Sequence, residues 1–92
     1  MQDPRPIRYR SAKYLAWVRG KPCFGCGLPP PSEPHHVSID GSAWGSKPSD
    51  LYTVPVCRKC HRRQEDAPWI SKEELYRQVA RLIEEWIRKG EK

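Results

Sequence analysis

The chain reads as a small α+β domain, with two short strands and a few helices held by a metal staple. Three observations predict this. Four cysteines fall into paired Cys-x-x-Cys motifs, Cys23 with Cys26 and Cys57 with Cys60. Only 37% of the 92 residues are hydrophobic, ten are proline and 30% are charged. A sustained helical apolar repeat occurs only near the C-terminal end. So short a chain with so thin an apolar fraction needs disulfides or a metal to hold it. We read residues 1–92 as a single domain: a basic arm over 1–10, a metal-stapled core over 11–66 and a helix over 71–89.

The compartment decides between disulfide and metal. The opening Met-Gln-Asp-Pro-Arg-Pro has no apolar signal core. No apolar run approaches the length that spans a bilayer. The expectation is a cytoplasmic protein with no membrane contact, whose thiols stay reduced, so the paired motifs mean metal. A thioredoxin-like redox reading lacks the βαβ pattern it needs.

Formal net charge is +6 and the sequence pI about 9.4. The cations are segregated. Arg5, Arg8, Arg10, Lys13, Arg19 and Lys21 precede the first knuckle with only Asp3 against them, and Arg58, Lys59, Arg62 and Arg63 crowd the second. The acids gather mainly in the C-terminal helix. That distribution points to a polyanion partner, bound through phosphate contacts. Ordinary solubilising charge is the plainer alternative.

Taken in order, Pro4 and Pro6 keep the arm extended. Ser11 caps a helix over Ala12 to Arg19 that Gly20 stops, with Tyr14 or Leu15 and Val18 as its apolar face and Trp17 off that face. The first knuckle follows, then a proline-rich connector from Leu28 to Pro34. Pro34 to Ile39 reads as a strand. Asp40 to Asp50 is a loop rich in Gly, Ser and Pro, and Leu51 to Val56 is a second strand that Pro55 confines to an edge or an end. A helix is expected from about Cys60 to Asp66, broken by Pro68. Ser71 and Glu74 form a capping box for the last helix. Leu75, Val79, Leu82, Ile83, Trp86 and Ile87 recur along it at helical spacing before Gly90. That stripe is core, or a face for a protein partner or a second copy of the chain.

The four cysteines, Cys23, Cys26, Cys57 and Cys60, suffice for one closed tetrahedral zinc site. The histidines, His35, His36 and His61, are then left over for a second, open metal site. A strand with His-His, a loop, a second strand and then Cys-x-x-Cys-His entering a helix resembles the ββα-metal core of HNH endonucleases. Small phage and prophage members with a four-cysteine zinc site are the nearer likeness. The likeness runs over about residues 12–65, and the segments Lys47-Pro48-Ser49-Asp50 and Cys57 to His61 make it specific.

The resemblance implies roles residue by residue. His36 is the general base. His35 and His61 are ligands of a catalytic divalent metal. The four cysteines hold structural Zn²⁺. Two positions depart from the family pattern. Glu65 stands where many relatives have a further histidine, four residues after His61. Residues i and i+4 share a helix face, and a carboxylate there favours Mg²⁺ or Mn²⁺. Asp50 is the nearest counterpart of the family's middle asparagine, at a longer spacing, so the resemblance implies an orienting, catalytic role for it beside His36, with DNA as the substrate. Lys47, Arg58, Arg62 and Arg63 are the expected phosphate contacts.

The chemistry asks for the same parts. Phosphodiester hydrolysis needs a base near neutrality, which a histidine supplies, and a Lewis acid. Side chains at 35 and 36 point to opposite faces of a regular strand, so the strand is expected to end or bulge there. The plainer readings are a solvated pair for His35 and His36, a zinc ligand or plain helix residue for His61, and an exposed helix acid for Glu65. The rival function is a non-catalytic zinc-finger module that binds nucleic acid or protein. It explains zinc and charge but not the adjacent histidines.

Overall fold

The computed structural model describes residues 9–38 and 48–90. Lys47, most of the basic arm and most of the 40–50 loop lie outside the described residues. The elements run α1 (Ala12–Arg19), β1 (Glu33–His36), β2 (Thr53–Val56), α2 (Arg58–Asp66) and α3 (Lys72–Arg88). This is an α+β arrangement of a two-stranded sheet and three helices. Among the described residues no helix is long and apolar enough to cross a membrane.

β1 and β2 pair antiparallel, residue for residue, with Glu33 opposite Val56, Pro34 opposite Pro55, His35 opposite Val54 and His36 opposite Thr53. Of the two expected outcomes, an end or a bulge, the strand ends at His36, and Ile39 is outside the described residues. Pro34 and Pro55 face each other, so neither lost N–H interrupts a longer ladder. Leu51 and Tyr52, expected in the second strand, belong to a turn, where Tyr52 N–H donates to Ser49 O at 3.0 Å.

The core gathers on β2. Val54 and Val56 are wholly buried and pack with Cys23, Val37, Cys57, Cys60, Ile70, Leu75 and Val79. α3 supplies Leu75, Val79 and Leu82 from its apolar stripe, while Ile87 at the end of the stripe is 66% exposed. Its capping box forms as expected: Ser71 Oγ accepts from Glu74 N–H, and the Glu74 carboxylate accepts from Ser71 N–H. Ser11 likewise caps α1, accepting from Tyr14 N–H at 3.1 Å.

Trp17 is not off the packed face. Its ring lies 5.5 Å from Tyr14 and 5.1 Å from Trp86, and Tyr14 meets Trp86 edge-on at 5.1 Å. This aromatic trio ties α1 to α3. Lys21 reinforces the seam, with Nζ 4.4 Å from the Trp17 ring and 2.7 Å from Glu85 Oε2.

Candidate functional site

The cysteines come together from two places. In the first knuckle, Gly27 sits at φ +79°, a conformation that glycine adopts without strain. Phe24 N–H donates to Pro55 O at 2.7 Å, tying the knuckle to β2. In the second, Cys57 caps α2, its Sγ accepting from Cys60 N–H at 3.4 Å, so the helix starts at Arg58 rather than near Cys60. The helix begins early because the Cys57 sulfur caps it.

The four sulfurs lie within 4.8 Å of one another, Cys26 Sγ and Cys57 Sγ at 3.8 Å. Cys23 Sγ accepts from Gly25 N–H at 3.2 Å and Cys26 N–H at 3.4 Å. Burial pushes the Cys23 thiol up, but these donors and neighbouring Cys57 and Cys60 outweigh it and bring it down to about 6. Cys60 is pushed up to about 12 by burial and by the other thiols crowding it. A crowded thiol held protonated by its neighbours, as Cys60 is, is the situation a divalent cation relieves. The cluster can hold one metal ion, and its all-sulfur donor set is that of closed zinc sites.

The histidines divide across β1. The His35 ring meets the His61 ring edge-on at 5.0 Å, and donor atoms of His35, His61 and Glu65 lie within 4.8 Å of one another. His61 Nδ1–H donates to Glu33 Oε1 at 2.8 Å, while His61 Nε2 is 3.4 Å from Glu65 Oε2. That hydrogen bond, with Arg58 beside it, holds the Glu33 carboxyl below the usual range. With Nδ1 committed to Glu33, Nε2 is the nitrogen left to bind a metal. Burial, and the His61 ring next to it, push the His35 pKa below 6.5. A ring kept neutral is a ligand without proton competition. Two imidazoles and a carboxylate suit a first-row divalent ion, and the carboxylate admits Mn²⁺ or Mg²⁺.

His36 turns the other way. Its Nε2 is 3.0 Å from Asp50 Oδ1, and Ser11 N–H donates to Asp50 Oδ2 at 2.8 Å. Burial would raise the Asp50 carboxyl, but those two bonds and Arg10 at 3.6 Å prevail and hold it below its usual range. An ionised Asp50 only accepts, so His36 donates from Nε2, and Nδ1 is the nitrogen left to act as a base. Asp50 itself is fixed at the start of the turn into β2, its N–H donating to Tyr9 O at 2.8 Å and its O accepting from Thr53 Oγ1 at 2.9 Å. His35 and His36 nonetheless line one cleft, together with Ser38, Lys72 and Tyr76.

The expected basic contacts separate. Arg58 Nε is 3.4 Å from Glu33 Oε2, and Arg58 and Arg62 line the cleft beside His61 and Glu65. Arg63 points elsewhere, its guanidinium 4.8 Å from the Trp69 ring centroid.

A family model described as "Protein of unknown function (DUF968)" matches residues 1–87. The chain belongs to the DUF968 family. It is 40% identical over 62 residues to the "Uncharacterized protein YdfU" of Escherichia coli (strain K12), a match covering 66% of this chain and 18% of that protein. The DUF968 chain thus spans under a fifth of the length of that curated relative. No solved structure matches it.

Sequence reasoning missed Glu33. The signal was present: Glu33 and His35 are two apart on a strand and share a face, the face that meets α2. It also missed Gln64, whose Oε1 accepts from Trp69 N–H and Ile70 N–H at 3.1 and 3.0 Å while its Nε2 donates to Ile70 O at 3.1 Å. No local pattern announces that clamp.

Proposed function

We propose that the chain is a metal-dependent endonuclease of the HNH, or ββα-metal, type that hydrolyses DNA phosphodiester bonds. One observation carries the reading: His36, held by Asp50, lines one cleft with His35, and the donor atoms of His35 also gather with those of His61 and Glu65, which line a second cleft. A base and a Lewis-acid site side by side are the two parts phosphodiester hydrolysis requires.

His36 Nδ1 takes a proton from a water whose oxygen attacks phosphorus. The bond from phosphorus to the 3′ oxygen breaks, and that oxygen leaves with a proton from solvent. Asp50 keeps the imidazole in the productive tautomer and stabilises the imidazolium as it forms. His35, His61 and Glu65 would hold Mg²⁺ or Mn²⁺. Such an ion, when bound, polarises the phosphoryl oxygen and offsets charge on the departing oxygen. Cys23, Cys26, Cys57 and Cys60 would hold Zn²⁺, which fixes the start of α2, and so His61, against the first knuckle. Arg58 and Arg62 line the cleft of His61 and Glu65 and would contact phosphates.

The test is cleavage of supercoiled plasmid with Mg²⁺ or Mn²⁺, with and without EDTA, in protein whose zinc content is measured. The expected result is cleavage that EDTA stops. His61→Ala should lose it and regain part at high Mn²⁺, since the lesion is in metal binding. Clean zinc-loaded protein that never cuts any DNA form with any divalent ion would leave a zinc module that binds without cutting.

A further inference from the structure

Trp69 and the arginines around it are not used by the histidine site. Trp69 is 40% exposed, yet its position is rigid. Buried Gln64 pins its backbone, and its ring lies so close to Gly25 that a Cβ there would come within 2.9 Å of Cζ2. Arg63 covers the ring as a cation, at 4.8 Å. The cleft holding Trp69 also contains Phe24, Gly25, Ile70 and Glu74. An adjoining cleft shares Phe24 and Glu74 and adds Arg77, Gln78 and Arg81.

The charges there are unbalanced. Arg77 and Arg81 are four apart on α3, a like-charge spacing that weakens a helix. Among the described residues neither is paired with an acid, whereas Arg88 on the same helix pairs with Glu84 and Lys21 pairs with Glu85. The carboxylate of Glu74 is turned back on Ser71 N–H and Oγ. The result is a fixed aromatic ring in a groove flanked by unpaired guanidinium groups. A strand of unpaired nucleotides has the matching chemistry: phosphates for the arginines and a base face for the indole. A duplex lacks the free base face.

We propose that this groove, formed by Phe24, Trp69, Arg63, Arg77 and Arg81, binds single-stranded DNA. An incoming base takes the Trp69 face that Arg63 covers, and the Arg63 guanidinium moves to a phosphate. The cation–π contact it leaves is an exposed one and weak. Ile70 lines both the Trp69 cleft and the cleft of His35 and His36, so a strand held here lies next to the cleavage site. Only the choice of DNA as the strand rests on the nuclease reading.

The experiment is fluorescence anisotropy of labelled oligothymidylate, oligouridylate and a DNA duplex, using zinc-loaded protein with no Mg²⁺ or Mn²⁺ added. Trp69→Ala should weaken oligothymidylate binding by about 5- to 150-fold, the worth of one stacked base, and leave the duplex unchanged. Trp69→Phe should restore most of the loss. Because Trp69 packs on the first knuckle, the exposed pair gives a second, independent variant. Arg77→Ala with Arg81→Ala should flatten the single-strand salt slope by about 1.4, two phosphates' worth. Unchanged single-strand affinity and slope in both variants overturns the proposal. So does an equal loss for strand and duplex in Trp69→Ala, which marks a damaged knuckle, and oligouridylate bound more tightly than oligothymidylate overturns the choice of DNA. Metal-dependent cleavage that survives Trp69→Ala, with single-strand binding also unchanged, removes this groove and leaves the nuclease standing. Single-strand binding without any cleavage does the reverse.

Discussion

Asp50 accepts from His36 on one carboxylate oxygen and from Ser11 N–H on the other, so one side chain joins α1 to β1. Asp50→Ala strands both donors and should cost about 1–3 kcal/mol in denaturant unfolding, besides slowing cleavage. The pH dependence has a definite sign. A carboxyl whose folded pKa lies below 3.8 stabilises the fold at every pH above 3.8, and that share is lost as pH falls through the folded value. The stability gap between wild type and Asp50→Asn should therefore be full near neutrality and close in acid. A gap independent of pH contradicts the bonded carboxylate. Glu33 makes a different prediction, about metal. Glu33→Ala frees His61 Nδ1 and should weaken Mn²⁺ binding about 10- to 100-fold by titration calorimetry, while Glu33→Gln, still an acceptor, should lose less. Equal losses in the two variants contradict an orienting role. The sequence singled out His35, His36, Asp50, His61 and Glu65 through the HNH resemblance, because its motifs are local patterns. That Asp50, at its longer spacing, bonds directly to His36 was beyond it. The bond depends on where the chain from 48 to 50 closes against Tyr9, Arg10 and Ser11, which no spacing expresses.

The helices were the most legible elements, because caps and apolar spacing are written within a few residues of each other. Ser11 and the Ser71–Glu74 box both act where expected. The strands were less so. Both are shorter than the β-branched runs suggest, since only the paired part of a run is a strand and turn bonds at Ser49 claim Leu51 and Tyr52. Trp17 was misread because a helix of eight residues has little room for an inside and an outside when a side chain of another helix, Trp86, packs on it. That packing leaves a flaw. Tyr14 is fully buried, and among the described residues its hydroxyl has no hydrogen-bond partner. Tyr14→Phe keeps the ring contacts with Trp17 and Trp86 and removes the stranded hydroxyl. It should leave stability unchanged or raise it by about 1 kcal/mol in thermal or denaturant unfolding. A loss of more than about 1 kcal/mol would show that the hydroxyl has a partner.

The molecule as a whole rests on its two knuckles. The apolar core includes Cys23, Cys57 and Cys60 themselves, so the metal site and the core are one body. A domain this small is stable by about 5–15 kcal/mol at most, while structural zinc contributes about 10–16 kcal/mol of apparent folding free energy. Chelation should therefore abolish the helical circular dichroism of α2 and α3, and re-addition of Zn²⁺ should restore it. Metal-free protein that keeps its fold contradicts this. On the proposed reading the same staple would set His61 against His35, so cleavage and fold would depend on zinc together, while only cleavage would depend on His36. The most direct measurement is the cleavage rate of His36→Ala against wild type, at equal DNA, salt and Mn²⁺, in proteins shown to carry equal zinc and bind DNA equally. The account predicts a fall of about 10²–10⁴-fold, the worth of a positioned base. Equal rates for the two proteins would contradict it.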